Sequence, residues 1–201
     1  MNELKKKRIK AVMKYTWPFY IIAALIVVFT LNLIFRVAHP IPLYKSLTLF
    51  ISGEVTDEGK LKKDLLNEFD AKELKSVSFL YDNPGNANYG PKLSVAGYNT
   101  ADILILPLSK MDELKLEDFA LELTNELVTS HYSSYALYMK NDVNYGVKID
   151  KEKVKDYMKL PEQDCYMLLN ARSENTGKYS PKKVEEHDMA LTLVKDWGSN
   201  V

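Results

Sequence analysis

Apolar and polar positions divide this chain into two unlike parts. Residues 17–35, WPFYIIAALIVVFTLNLIF, carry no charge. As a helix they span roughly 28 Å, close to the thickness of a bilayer's hydrocarbon. From residue 46 onward, short β-rich runs alternate with helical stripes. Residues 46–52, SLTLFIS, predict a strand, and Leu61, Leu65, Leu66 and Phe69 recur on one helical face with Thr56 or Asp57 as its cap. Residues 74–81 and 101–106 predict a second and a third strand, with helical candidates at 110–114 and 116–128. Residues 134–139 and 144–149 flank KNDV as a hairpin or two successive edge strands. Residues 150–158 predict a helix with Val154 and Tyr157 inward, and 164–170 another buried strand. Ser180-Pro181 then opens a final helix through Trp197, with Val184, Leu191, Val194 and Trp197 as its inward stripe.

The run ADILIL fixes the fold class. A strand apolar on both faces is buried on both, and sheets so covered are mostly parallel sheets of α/β domains. Pro107 ends that strand, and Ser109 is placed to cap the next helix. The expected architecture is an N-terminal transmembrane helix followed by one three-layer α/β domain with a mostly parallel sheet. Ligands of open α/β sheets bind at the carboxyl edge of the strands. Three parallel strands ending at Ser52, Tyr81 and Leu106 would gather their loops there. The ligand-binding candidates are therefore Gly53, Glu54, Thr56, Asp82, Asn83, Pro107 and Ser109, with Tyr89 and Tyr98 flanking them. Glu54 and Asp82 favour a neutral or cationic ligand over a strongly anionic one. For any one of these residues the alternative is a solvated loop.

Charge gives the apolar run an orientation. The chain is neutral overall, with 27 basic and 27 acidic residues. Residues 1–38 hold seven of the basic residues against Glu3 alone, which leaves the remainder at a net −6. Basic residues before an apolar span favour the cytoplasmic side. The expected organisation is a cytoplasmic segment at 1–16, a transmembrane helix at 17–37, a spacer at 38–45 stiffened by Pro40 and Pro42, and an extracytoplasmic domain at 46–201. An uncleaved signal anchor fits better than a cleaved signal peptide, whose apolar core is usually shorter and is followed by small residues. The acidic body argues against nucleic acid as a partner. Cys165 is the only cysteine, so no intramolecular disulfide braces the exported part, a pattern that suits a bacterial cell-surface protein.

The order SLTLFISGEVTDEGKLKKDLLNEFD, TADILILPLSKMDEL, NYGVKID and LLNARSENTG followed by HDMALTLVKDW resembles one lobe of the type 2 periplasmic, or extracytoplasmic, solute-binding proteins of ABC transporters. The resemblance covers most of residues 46–198 and rests on the order of elements. It implies a binding module for a small ligand, with a transporter permease as membrane partner. The chain departs from that family in two ways: residues 149–164 are too few for a second lobe, and no lipoprotein cysteine stands near the N-terminus. A lone lobe would hold a ligand in an open groove or between two copies.

Other chemistry is sparse. His39, His131 and His187 are scattered, EEHD reads as the polar first turn of the last helix, and Cys165 reads as a buried inert thiol. No nucleophile elbow, zinc-protease motif or glycine-rich phosphate loop occurs. The expectation is no enzyme, no metal and no cofactor. Tyr is abundant, at 13 residues, offering either stacking faces for a ligand or ordinary strand packing. The sequence thus predicts a membrane-anchored binding module, with a structural or assembly subunit that takes no small ligand as the alternative.

Overall fold

The computed structural model describes residues 3–38, 41–70 and 72–201. The chain forms two compact units that part after residue 40; His39 and Pro40 of the expected spacer lie outside the described residues. The first unit is one helix, α1 (Glu3–Ala38). Its stretch Thr16–Phe35 is long and apolar enough to cross a membrane or to act as a signal sequence. Pro18 lies inside this helix, not in its first turn, because the helix begins upstream at Glu3.

The second unit is α/β. Its main sheet has the order β3-β1-β4-β8-β6-β5. The strands are β1 (Ser46–Ser52), β3 (Ser76–Asp82), β4 (Ile103–Pro107), β5 (Leu137–Lys140), β6 (Val143–Lys148) and β8 (Cys165–Leu169). A two-stranded ribbon pairs β2 (Glu54–Val55) with β7 (Met158–Lys159). The β3–β1–β4 core is parallel, whereas β4–β8, β8–β6 and β6–β5 are antiparallel. The sheet is therefore mixed, and the expected parallel order holds only in its core. The reason is where β8 starts. The ribbon places residues 158–159 beside the carboxyl end of β1, and β8 follows shortly after, so it must run back against β4.

Both faces of the central strands are covered. Leu47, Leu49, Ile51, Ile103, Ile105, Met167 and Leu169 pack on one side with Leu61 and Leu65 of α2 (Glu58–Glu68) and Val194 of the C-terminal helix Met189–Trp197. Phe50, Leu104, Leu106 and Leu168 pack on the other with Tyr89, Leu93, Met111 and Phe119. The alternation is that of a pleated strand, one residue to each face in turn. Asp57 caps α2 by accepting from the Lys60 N–H at 2.8 Å. The hairpin is confirmed, with Asn141 and Asp142 at φ 51° and 61° in its two-residue turn, the left-handed pair that suits strand twist.

Three helical expectations are corrected. Residues 116–128 hold only two single-turn helices, Leu116–Asp118 and Asn125–Leu127, because Leu121 N–H donates to Leu169 O at 2.8 Å and Leu123 N–H to Asn144 O at 2.7 Å between them. Strand pairing there overrides the helical stripe. The helix expected over 150–158 stops at Val154, since Met158 and Lys159 join β2. The last helix begins at Met189, nine residues after Ser180. The intervening segment is charged, Lys183 adopts φ 51°, and Val184 is only half buried, so no apolar stripe holds a helix against the core. Ser109 lies inside helix Leu108–Glu113, whose N-cap is Pro107. Lysines close several turns: the Lys140 ammonium donates to the carbonyls of Met111, Asp112 and Leu114, and Lys151 to those of Pro161, Glu162 and Gln163.

Ile103 and Ile105 are fully buried in β4. Ile105→Ala should cost the domain about 2–5 kcal/mol in urea denaturation, and Ile105→Asp, which buries an unpaired charge, should prevent folding. A folded Ile105→Asp variant would remove β4 from the core.

Candidate functional site

The carboxyl edge of the parallel core brings part of the expected set together and then fills the space. Gly53 N–H donates to Asp82 O at 2.9 Å. A Cβ at Gly53 would collide with the Lys159 carbonyl, so the ribbon packs directly on this turn. Tyr89 is buried, and its hydroxyl shares a 2.6 Å hydrogen bond with Ser52 Oγ. Asp82 accepts from Asn83 N–H at 2.8 Å and Asn86 Nδ2 at 2.6 Å, and Asn83 Oδ1 from Gly85 N–H at 3.1 Å. Pro107 is buried against Cys165, and the Ser109 hydroxyl accepts from Gln163 Nε2 at 2.9 Å. Glu54 is exposed beside Lys159. Thr56 lines a separate surface hollow with Lys151 and Lys155. Tyr98 stands elsewhere, stacked on Phe119 with ring centres 4.0 Å apart.

A polar cavity of about 300 Å³ opens at the opposite edge, where β1 and β4 begin and β8 ends. Ser46, Thr48, Asn99, Asp102, Asn170, Arg172, Ser173 and Glu174 line it. Asp102, immediately before β4, anchors its wall. This buried carboxylate accepts from Thr48 N–H at 2.7 Å, the Ser173 hydroxyl at 2.6 Å and Asn175 Nδ2 at 3.1 Å. Burial pushes its carboxyl above the ordinary aspartate value, and those three donors oppose the rise. Asn170 fixes the turn after β8: its Nδ2 donates to the Tyr98 and Ala101 carbonyls, and its Oδ1 accepts from Arg172 N–H at 2.9 Å. Asn175 donates to Ser46 O at 2.8 Å, while its Oδ1 is buried without a partner among the described residues.

The rim carries the charge. The Arg172 side chain donates to Asn99 Oδ1 at 2.8 Å and joins no ion pair among the described residues. It also lines a neighbouring hollow with Tyr98, Leu114 and Phe119. The Glu174 carboxylate is largely buried and paired with Lys182. The array can hydrogen-bond a polar molecule and offers both signs of charge. Among the described residues no three His, Cys, Asp or Glu side chains converge as a metal-binding group.

None of these cavity residues was singled out by sequence pattern, although signals existed. Asp102 abuts a strand with no exposed face, NARSENT is a polar run after a buried strand, and Arg172 is the only arginine in residues 41–201. The chain matches no protein-family model, and comparison with curated proteins and with solved structures found no match.

Asp102→Ala would strand three donors, each worth about 1–3 kcal/mol when left buried and unpaired. The domain should lose about 3 kcal/mol or more in urea denaturation, whereas Glu54→Ala on the exposed ribbon should change it by within about 0.5 kcal/mol. Equal stability of the two variants would mean that Asp102 does not tie this edge together.

Proposed function

We propose that this protein is a membrane-anchored extracytoplasmic binding module, akin to one lobe of a type 2 solute-binding protein, that meets a small ligand or a transporter partner. The observation that carries this reading is the polar cavity built around Asp102. Its wall is preorganised: β1 and the 173–175 turn both donate to the Asp102 carboxylate at the start of β4, so little ordering is left to be done on binding. The apolar stretch Thr16–Phe35 and the basic residues before it support anchoring with the N-terminus in the cytoplasm. With a single lobe, the ligand sits in an open groove or is completed by a partner surface, and flytrap closure plays no part.

Two measurements test this. Protease added to protoplasts should remove the α/β domain and spare the N-terminus; a protected domain would refute the orientation. Thermal melts of the full chain in detergent, run against amino acids, sugars and short peptides, should show stabilisation by at least one class. At 100 times its dissociation constant a ligand adds about 2.7 kcal/mol. No shift with any class would favour an assembly subunit that takes no small ligand.

A further inference from the structure

We propose that the cavity at the amino edge takes a small zwitterion, its carboxylate held by Arg172 and its ammonium by Glu174. This rests on the binding-module reading and names the ligand class of the same site. The domain's other 19 basic residues are all lysines, and lysines serve its ion pairs, such as Lys148–Asp164 and Lys182–Glu174. The one guanidinium stands instead at the rim of a cavity, with a single hydrogen bond among the described residues, to Asn99. A guanidinium presents five donors in a planar fork that matches a carboxylate, so most of this fork is unused.

The rest of the lining points the other way. Glu174 is 7% exposed, and its pair with Lys182 uses one carboxylate oxygen, Oε1. Behind it stands the Asp102 carboxylate, which also lines the cavity and whose three donors are protein groups. Two carboxylates below a guanidinium rim sort ligands by charge. A phosphate or dicarboxylate would meet two carboxylates, a simple amine would leave the guanidinium unmatched, and a neutral sugar would use neither charge. A molecule with one charge of each sign satisfies both ends. About 300 Å³ is the lower limit for small-molecule pockets, a size for a free amino acid, not an oligosaccharide.

Isothermal titration of the full chain in detergent micelles with each of the twenty standard L-amino acids tests this. For the tightest of them, two counterparts are added, one lacking the amine and one lacking the carboxylate. At least one amino acid should bind, and each counterpart should bind at least tenfold more weakly. Arg172→Lys, which keeps the charge but loses the fork, should weaken binding at least tenfold without moving the melting temperature. Glu174→Gln should do the same to affinity, and Lys182→Ala, which frees the Glu174 carboxylate without removing it, should retain binding if loss in Glu174→Gln is not mere loss of the ion pair. The proposal is overturned if no amino acid binds, if either counterpart binds as tightly, or if Arg172→Lys binds like the parent. A sugar or peptide that binds in place of amino acids would overturn the zwitterion and leave the binding-module reading standing; silence toward all three classes would overturn both.

Discussion

Strands β1, β4 and β8 have almost no face to turn toward water, and the domain is organised around that constraint. In β1 and β4 the register sets Leu49 beside Ile103, Phe50 beside Leu104 and Ile51 beside Ile105, and all six are fully buried. Each such side chain contributes about 1.5–3 kcal/mol when removed from water. Covering both faces takes α2 and the C-terminal helix on one side and the segments around Tyr89 and Met111 on the other. With no cysteine pair to brace it, this double burial supplies the cohesion of the domain. It also expels polar chemistry to the two ends of the strands.

Those ends differ because the sheet is mixed. At the carboxyl edge of the parallel core, the β2–β7 ribbon lies against Gly53 and Tyr89 bonds to Ser52, so the strand ends are packed by the protein's own atoms. At the amino edge, β8 arrives from the other direction and releases residues 170–175 over the starts of β1 and β4. The rule that ligand loops leave the carboxyl ends of strands then has a second application here: β8 is the strand whose carboxyl end opens onto the polar cavity. One reversed strand thus moves the candidate site across the sheet.

Asp102 shows how burial and polarity are reconciled at that edge. A carboxylate so deeply placed is tolerated because a backbone N–H, a hydroxyl and an amide all donate to it. Its own N–H donates to Thr48 O at 2.7 Å, so the two strand starts are joined in both directions. The loop that carries Arg172 is held by the same network through Ser173 and Asn175. The rim charge is therefore carried by a segment with little freedom to shift.

Much of this was legible in the residues. SLTLFIS and ADILIL have the composition of buried strands, Asp57 precedes a helical stripe as a cap should, and KNDV joins two alternating runs as a hairpin turn. These are local signals, set by side-chain period and backbone preference, and they survive folding. The helix expected at 116–128, and the first half of the one expected from Ser180 through Trp197, failed for the opposite reason. In the first, residues 121 and 123 found strand partners distant in sequence, and in the second a charged segment had no core to pack against. The site follows the same division. The sequence by itself determined that strand ends would carry the polar groups, since the strands left no other place for them. Only the tertiary structure decided which edge, because the direction of β8 depends on the pairing of Met158 and Lys159 with residues about a hundred positions earlier, and contacts of that range leave no period in the chain.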